Sequence, residues 1–378
     1  MNKKNQRHPQ FPQDDDILYF NHAAVAPWPA CTVAAVNDFC LQNLHAGSKN
    51  YLNWLETETS LRESLRWLIN ADSIDDIALL KNTSEGLSVI AYGLDWEPGD
   101  NVVIPADEFP SNRIVWQSLK RFGVETRQVN IRQTNDPEQA LLDAMDEKTR
   151  LLSVSAVQYT DGFRLDLVKL GNNLIVKDAL FVVDAIQQLG ALEFDNKQVM
   201  ADFVVADGHK WMLGPEGLAL FYSHPRAREK LNLNQYGWHM VENPTDFMQQ
   251  EWHISHTAKR FECGSPNMIT AFALQTSLQL IRQTGIETIQ ETILDNSNNI
   301  MNYIDNSNSY DMINKLHEKR RSGIVLFKHK TLRSSVLHQR LTDAGIQCAE
   351  RANGIRLSPH YYHAKWEFDR LFNQLSSI

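Results

Sequence analysis

The sequence predicts an α/β protein in which helices cover both faces of a mainly parallel sheet, with a smaller α+β unit after it. Three observations predict this fold class. Short apolar runs alternate with helical stretches of about 10–15 residues, as in repeated strand–helix–strand units. Residues 102–104 and 181–183 are apolar throughout, as strands buried on both faces are. The alternation stops near residue 285, where two long helical stretches follow one another.

Each element follows from the spacing of its apolar residues. A period near 3.6 predicts a helix, and a short continuous apolar run predicts a buried strand. Strands are predicted at residues 17–21, 77–80, 101–105, 125–129, 151–155, 181–184, 203–206, 218–222, 324–327 and 355–357. Helices are predicted at residues 30–44, 57–69, 87–94, 112–122, 137–145, 268–284, 286–303, 332–344 and 363–375.

The length of 378 residues and the change of pattern predict two domains. Residues 17–285 form the predicted large domain, and residues 286–378 form the predicted small domain, with which the N-terminal segment could also pack. Residues 1–16 are rich in Asn, Gln, Lys and Asp and are predicted to be a flexible lead.

Composition argues against several classes of protein. The net charge of −9 argues against nucleic-acid binding, which would need clustered Lys and Arg. No apolar run approaches the roughly 20 residues that span a membrane, and the polar N-terminus has no apolar signal core. The four cysteines show neither CxxC nor Cys/His zinc spacing, which is typical of free thiols. We therefore expect a cytoplasmic protein with no metal, no membrane and no nucleic acid as partner.

Chemically active residues follow several of the predicted strands. Ligands of open α/β sheets bind at the carboxyl ends of the strands, so these residues are the candidates for a site. The candidates are Thr83 and Ser84, Phe109, Asp184 and Lys210, each at or shortly after the end of a strand.

These residue types in this order indicate a pyridoxal phosphate (PLP) site. Burial lowers the pKa of a lysine, so Lys210 between two core strands could form a Schiff base with a carbonyl. Asp184 at the end of a buried strand could pair with a pyridinium nitrogen. The helix start at Thr83 and Ser84 could hold a phosphate. Taken singly, each has a plainer explanation: a solvated loop lysine, an acidic helix cap and a Ser/Thr N-cap.

Three further segments are specific enough to indicate a family. They are Gly208-His209-Lys210 with Gly214-Pro215-Glu216-Gly217, Val183-Asp184-Ala185-Ile186-Gln187, and Arg260-Phe261-Glu262-Cys263-Gly264-Ser265-Pro266-Asn267. The chain resembles the class V aminotransferase group of fold-type I PLP enzymes, which includes cysteine desulfurases, selenocysteine lyases, isopenicillin N epimerase-like proteins and kynureninase. The resemblance covers nearly the whole chain and implies a mainly parallel seven-stranded sheet between helices, with a smaller C-terminal α+β domain.

The resemblance implies a role at the cofactor for several residues. Lys210 would be the catalytic lysine that forms the Schiff base. Asp184 and Gln187 would bind the pyridine nitrogen and the ring hydroxyl, and Phe109 would stack on the ring. The implied contacts to the phosphate come from Thr83, Ser84 and His209.

It also implies an amino-acid substrate and a homodimer with a shared active site. Ser265 and Trp238 match residues that reach the cofactor of the other subunit. Arg356 matches the arginine that binds the substrate carboxylate as a bidentate pair. His22 lies in a segment that lines the active site in relatives and is a candidate substrate contact, with a surface histidine as the alternative.

The chain departs from the desulfurase pattern at three places. Cys348 lies only eight residues before the carboxylate-binding arginine, too close for a mobile loop that carries a nucleophilic cysteine. Asp207 stands where desulfurases have a serine, and its role is open. Ala156 replaces an asparagine after the middle strand, and we expect Ser155 and Gln158 to replace that cofactor contact.

The resemblance favours C–S cleavage of an amino acid by β-elimination. Transamination and epimerisation share its first steps and are the main alternatives. A cysteine desulfurase that forms a persulfide and a non-catalytic PLP-binding protein are less favoured. A nucleotide-binding α/β protein is a further alternative, but neither a GxGxxG nor a Walker A pattern is present.

Overall fold

The computed structural model describes residues 6–313 and 315–378. The strands in chain order are β1 (Leu18–Tyr19), β2 (Ile77–Leu80), β3 (Asn101–Pro105), β4 (Glu125–Val129), β5 (Thr149–Ser155), β6 (Leu180–Asp184), β7 (Phe203–Asp207), β8 (Ala219–Ser223), β9 (Tyr310–Met312), β10 (Val325–His329), β11 (Ile346–Gln347), β12 (Ala349–Arg351) and β13 (Gly354–Leu357).

The helices in chain order are α1 (Ala30–Ala46), α2 (Tyr51–Ile69), α3 (Thr83–Gly93), α4 (Ser111–Gln117), α5 (Pro137–Asp143), α6 (Leu167–Leu174), α7 (Asn196–Val199), α8 (Pro225–Arg228), α9 (Met268–Thr284), α10 (Ile286–Asp305), α11 (Ser334–Asp343) and α12 (Lys365–Ser377). Short 3₁₀ helices lie at Ile74–Asp76, Ser118–Phe122, Ala258–Phe261 and Glu318–Arg320. None of the helices in the two described ranges is both long and apolar enough to cross a membrane.

A seven-stranded sheet with the order β2–β8–β7–β6–β5–β3–β4 forms the centre of the molecule. β8 runs antiparallel to both of its neighbours, β2 and β7, and the other neighbouring strands of this sheet pair in parallel. Alternate residues of a strand enter two separate cores: Val182 packs in the core under α3 and α4, and Val183 packs in the core that includes α2, α6 and α9. The predicted fold class, a mainly parallel sheet covered on both faces, is therefore confirmed.

The register of the sheet brings the predicted site to one edge. Ser155 at the end of β5 pairs with Asp184 at the end of β6, and Asp184 pairs with Val205 of β7. The carboxyl ends of three neighbouring parallel strands therefore lie side by side. Lys210 follows β7 in the turn that leads to β8.

Three helices of the described residues, α6, α7 and α8, were absent from the prediction, and α6 is the longest of them. α6 begins after Asp166, whose carboxylate accepts a hydrogen bond from the backbone N–H of Lys169, and it buries Leu167, Leu170 and Leu174. The segment is short and bears Gly171 in its middle, which weakens a helical pattern read from sequence. A Cβ at Gly171 would lie 1.9 Å from the carbonyl oxygen of Val199, so glycine is required there by the packing of α6 on α7.

The prediction of a flexible lead is wrong for residues 6–16; residues 1–5 lie outside the described residues. Phe11 is 1% exposed and stacks on Tyr362 with 3.5 Å between ring centroids. The guanidinium of Arg7 donates to Glu367 at 2.8 Å. Both partners lie more than 350 positions further along the chain, so no local pattern could reveal these contacts.

The C-terminal unit contains an antiparallel sheet with the order β12–β13–β10–β9. Its core also includes Leu18 and Phe20, because β1 pairs in parallel with β11. The N-terminal segment therefore packs with this unit. The division at residue 285 stays a prediction, at the glycine (φ 88°) that separates α9 from α10.

Candidate active site

Lys210 is a buried amine at the carboxyl edge of the sheet. Lys210 is only 8% exposed. Burial lowers the pKa of Lys210 to about 8, the nearby Asp184 carboxylate opposes this shift, and the positive charge of Arg356 adds to it. Its ammonium nitrogen lies 5.6 Å from the centre of the Phe109 ring, which is 40% exposed. A lysine with this pKa is about one-tenth neutral amine at pH 7, far more than a solvated lysine.

Asp184 is a buried carboxylate that lies close enough to Lys210 for their charges to interact. Its Oδ1 accepts a hydrogen bond from the backbone N–H of Ile186 at 3.0 Å. Burial raises the pKa of Asp184 to about 6, which the hydrogen bond and the lysine charge counteract in part. A cationic ring nitrogen beside it would stabilise the ionised form.

Arg356 lies in the middle of β13 and is 2% exposed. One guanidinium nitrogen, Nη1, donates to the carbonyl oxygen of Tyr159 at 2.6 Å, and Nε is buried without a partner in the described part of the chain. Burial lowers the pKa of Arg356 to about 10. The ring of Tyr159 meets the Phe109 ring edge-on at 5.1 Å, so this arginine lies on the same side of the sheet as the ring predicted to stack on the cofactor.

The predicted phosphate site lies at the N-terminus of α3, which begins at Thr83. Ser84 is exposed there, and its hydroxyl donates to Ser111 at 2.8 Å. The backbone N–H of Thr83 donates to Asp207 at 3.0 Å, and the Thr83 hydroxyl oxygen accepts from the backbone N–H of Asp207 at 3.1 Å. The Asp207 carboxylate is therefore turned toward the helix N-terminus.

The Gln187 side chain is held by two hydrogen bonds. Gln187 accepts from the indole N–H of Trp211 at 2.8 Å and donates one amide N–H to the carbonyl oxygen of Ala23 at 2.9 Å, so one N–H remains for a ring hydroxyl.

His22 is fully buried, with one ring nitrogen bonded to the Ser358 carbonyl at 2.9 Å and the other to the Tyr362 hydroxyl at 2.5 Å. Both expectations for His22, a substrate contact and a surface histidine, therefore disagree with its environment.

Glu108 is a site residue to which the sequence reasoning gave no role. It is 3% exposed, and its carboxylate accepts hydrogen bonds from the backbone N–H of Ser155 at 2.6 Å, from the Ser155 hydroxyl and from the Gln158 amide at 3.0 Å. Burial raises the pKa of Glu108 to about 7, and the charge of Asp184 contributes to this shift. Its position three residues after the buried strand β3 was the sequence feature that could have identified it.

This network corrects the expectation for Ser155. Its hydroxyl proton is donated to Glu108, and the Gln158 amide is directed to the same carboxylate. The Ser155 hydroxyl is therefore not free to replace the missing asparagine as a donor to the cofactor, whereas the Gln158 amide keeps a second N–H. The error has a physical cause, because the sequence does not show which of two nearby acceptors a buried hydroxyl will meet.

Ser265 and Trp238 lie together on the surface, and Trp238 is 41% exposed. A Cβ at Gly237 would lie 2.0 Å from the carbonyl oxygen of Cys263, so the two segments are in direct contact. They therefore present one continuous surface, as a contact shared between subunits would require.

A buried ion-pair network holds this surface in place. The guanidinium of Arg62 on α2 donates to Glu262 through two nitrogens at 2.7 Å each, and to Glu58 at 2.6 Å. Glu262 also accepts from the backbone N–H of Leu79 at 2.7 Å. The network ties the segment that carries Ser265 to α2 and to the edge strand β2.

The family model for aminotransferase class V matches residues 18–368. The chain belongs to the aminotransferase class V family. It is a PLP-dependent enzyme, and its chemistry is PLP-dependent chemistry of amino acids.

Proteins similar to this class V family member include a probable cysteine desulfurase in sequence and a cystine C-S lyase in fold. A probable cysteine desulfurase of Methanothermobacter thermautotrophicus is 32% identical over 282 residues, which are 73% of this chain and 69% of that protein. The cystine C-S lyase C-DES, solved with its reaction product cysteine persulfide, has a TM-score of 0.91 at 22% identity and covers 98% of this chain and 100% of that chain. A lysine-to-alanine mutant of C-DES, with glycine covalently linked to the PLP cofactor, has a TM-score of 0.90 at 22% identity, with 98% of each chain covered.

The residues at the sheet edge fit PLP. Nδ1 of His209 is buried without a hydrogen-bond partner in the described residues, and the amine of Lys210, a residue only 8% exposed, lies over the Phe109 ring. Asp184 is a buried acid whose charge is costly until a cation lies beside it. A pyridine ring with an aldehyde and a phosphate would supply partners to these three groups.

Proposed function

We propose that this enzyme cleaves the C–S bond of a cysteine-like amino acid by β-elimination and forms no persulfide on a cysteine of its own. The observation that carries this proposal is the environment of Cys348. It is buried between β11 and β12, and burial raises the pKa of its thiol to about 12. The thiolate is the nucleophilic form of cysteine, so this thiol is inert near neutral pH. Its place between two strands also leaves no mobile loop.

Three side chains would bind and deprotonate the substrate. Arg356 would hold the carboxylate through its guanidinium N–H groups, which places the α-carbon on the side of the sheet edge where Lys210 lies. The Lys210 amine would take the α-proton, since its lowered pKa leaves a fraction of it neutral. Bound PLP would withdraw electrons from the α-carbon, provided that Asp184 keeps its ring nitrogen protonated.

β-Elimination needs no oxidant or reductant. The proton leaves the α-carbon for the Lys210 nitrogen, the Cβ–S bond breaks, and its electron pair leaves with sulfur as a thiolate that takes up a proton. Water then converts the remaining three-carbon fragment to pyruvate and ammonia. For cysteine, the sum is cysteine plus water giving sulfide, pyruvate and ammonia.

A product assay tests this reaction. The PLP-loaded protein is incubated with L-cysteine, L-cystine and sulfur-free L-amino acids, and sulfide, pyruvate and alanine are measured together. Equal amounts of pyruvate and sulfide are expected from L-cysteine. From L-cystine, equal amounts of pyruvate and cysteine persulfide are expected, and the persulfide yields one sulfide when a thiol reductant is added before the sulfide is measured. Three other results would contradict the proposal. Alanine with protein-bound sulfur would indicate a desulfurase, and a keto acid formed only with a 2-oxo acid acceptor would indicate a transaminase. Formation of the D-amino acid would indicate an epimerase.

Replacing Cys348 by alanine separates the lyase from the desulfurase. We expect sulfur release at the wild-type rate, with a free energy of unfolding lower by about 1 kcal/mol because a buried side chain is truncated. The half-buried Cys263 is the matched control, and Cys263→Ala is also expected to keep the rate. A tenfold or greater loss of sulfur release in Cys348→Ala, with the fold intact by circular dichroism, would assign this thiol to the mechanism.

We also propose a homodimer with shared active sites. α1 buries only Thr32 among its 17 residues and exposes Val33, Leu41 and Leu44, the last to 74%. An exposed apolar surface of this kind is typical of a partner contact.

Sedimentation velocity measures the oligomeric state directly. We expect a species of twice the 43.3 kDa chain mass, which Leu44→Glu shifts toward the monomer. Val176→Glu is the control, because Val176 is 85% exposed in a different part of the protein. A wild-type species of single-chain mass would refute the shared site.

A cytoplasmic location is the third part of the proposal. All four cysteines are free thiols, which is typical of a reducing compartment. Thiol titration of protein extracted from its native source under denaturing conditions checks this, and fewer than four free thiols per chain would contradict it.

A further inference from the structure

Asp207 places a carboxylate among the hydrogen-bond donors that a phosphate would use. Desulfurases have a serine at this position, which can donate to a phosphate, whereas an ionised carboxylate can only accept. The Asp207 carboxylate accepts the N–H of Thr83, the first residue of α3, at 3.0 Å. The first N–H groups of a helix have no partner within the helix and are the usual donors to a bound anion. One of these donors is therefore already taken by an acid.

His209 is the second unusual group beside the same helix end. Its Nδ1 is buried without a hydrogen-bond partner in the described residues, and it lies 3.9 Å from Oδ1 of Asp207, beyond hydrogen-bond distance. Burial, together with the charge of Lys210, lowers the pKa of His209 to about 4, so the ring is neutral without a phosphate. No proton is therefore shared between Asp207 and His209 in this state.

The charges that face Asp207 make a second anion costly. Burial raises the pKa of Asp207, the hydrogen bonds from Thr83 and the positive charge of Lys210 oppose this shift, and the negative charge of Glu216 adds to it. The charge of the Asp184 carboxylate also interacts with that of Asp207. A phosphate monoester has a second pKa of about 6 and enters as a dianion at higher pH. Two anions that share one helix end repel each other unless a proton separates them.

We propose that the cofactor's phosphate binds together with one proton from solvent, which Asp207 and His209 then hold between them. The inference rests on the proposed phosphate site at the N-terminus of α3. Closing the 3.9 Å gap to hydrogen-bond distance lets His209 donate from Nδ1 to Asp207, so the pair changes from an acid beside an unpartnered ring to a proton-sharing pair. The negative charge of the phosphate stabilises the added proton. Asp207 is in this respect a positioning residue for His209 and a determinant of phosphate affinity.

The test compares PLP with pyridoxal, which has the same ring and aldehyde but no phosphate. Dissociation constants of both ligands are measured by fluorescence between about pH 7 and 8.5, where the free phosphate is mainly a dianion. Effects of pH on the Lys210 amine are common to both ligands and cancel in the ratio of the two constants. For the wild-type protein, we expect the advantage of PLP over pyridoxal to fall about tenfold per pH unit, the signature of one linked proton. In weakly buffered solution with an indicator dye, PLP should take up about one proton per site more than pyridoxal does.

Asp207→Asn is the decisive variant, because the asparagine oxygen can still accept the Thr83 N–H while it carries no charge. We expect its advantage for PLP to be independent of pH and, at about pH 8, roughly tenfold larger than in the wild-type protein. Glu216→Gln is the matched control, since this exposed acid also faces Asp207 but is assigned no proton; it should keep the wild-type slope. Circular dichroism checks that each variant is folded.

Two results would overturn the inference: a pH-independent ratio in the wild-type protein, or an unchanged slope in Asp207→Asn. A wild-type protein that binds neither ligand would refute the proposed cofactor site itself. Tight pyridoxal binding with no gain from the phosphate would place the phosphate elsewhere. The measurements with pyridoxal therefore distinguish failure of the inference from failure of the proposed function.

Discussion

Lys210→Ala is expected to lower kcat at least about a thousand-fold while the protein remains folded and still takes up PLP. The amine is assigned two tasks, covalent attachment of the cofactor and removal of the α-proton, and general-base catalysis alone contributes about 10²–10⁴-fold. Removal of a buried, partly charged group also relieves a desolvation cost, so the free energy of unfolding should not fall. Single-turnover kinetics and the visible absorption of the PLP-loaded protein measure the two tasks separately.

A matched control for this variant is Lys197→Ala on α7. Lys197 is exposed, and within the described part of the chain its ammonium group pairs only with Asp72, at 2.8 Å, so its removal should leave kcat unchanged. The absorption of Lys210→Ala should resemble that of PLP free in solution, whereas Lys197→Ala should match the wild-type protein. Persistent turnover by Lys210→Ala above about a tenth of the wild-type rate would remove this lysine from the mechanism.

Arg356→Gln is expected to reduce kcat/KM for the amino acid about 10²–10³-fold, mainly through KM. Loss of one partner of a buried charge pair costs about 2–5 kcal/mol, which includes the cost of leaving the substrate carboxylate unpaired. Arg356→Lys should recover only part of the loss, because an ammonium cannot form the planar bidentate pair. Steady-state kinetics of all three proteins give the comparison.

A substrate without a carboxylate shows whether the effect is specific. The wild-type enzyme should discriminate strongly between cysteine and cysteamine, and Arg356→Gln should discriminate weakly, since only the carboxylate contact is removed. Arg340→Gln, an exposed residue of α11, is the control and should behave as the wild type. Equal losses for both substrates would mean that Arg356 supports the fold, through its bond to the Tyr159 carbonyl, and does not bind the carboxylate.

Much of the fold followed from local patterns. The strands at residues 77–80 and 101–105 coincide with β2 and β3, because short runs rich in apolar residues between polar turns fit a sheet covered on both faces. The strand at residues 125–129 also coincides with β4, but this strand is mostly polar and lies at the edge of the sheet. The helix predicted at residues 112–122 ends earlier, at Gln117, and continues as a 3₁₀ helix to Phe122. Such boundary changes are set by end packing, which the apolar period does not encode.

The site also contains residues whose place could be predicted from sequence and residues whose contacts could not. Asp184 and Lys210 could be placed from sequence, since both stand at the ends of apolar runs and the carboxyl ends of parallel strands meet at one edge. The roles of Ser155 and His22 could not. Ser155 meets Glu108, and His22 lies between Ser358 and Tyr362 from the far end of the chain, so their partners depend on long-range packing.

The sequence by itself therefore determined the fold class and the cofactor and led to the prediction that Lys210 carries it, because each depends on residue type and order along single strands. Only the tertiary structure decided which partners the polar side chains around Lys210 and Asp184 bind. In the folded protein, the Asp207 carboxylate accepts the Thr83 N–H, the Ser155 hydroxyl donates to Glu108, and Cys348 is buried. The physical reason is that hydrogen bonding and burial are pairwise properties of groups brought together by folding, and a one-dimensional pattern records only one member of each pair.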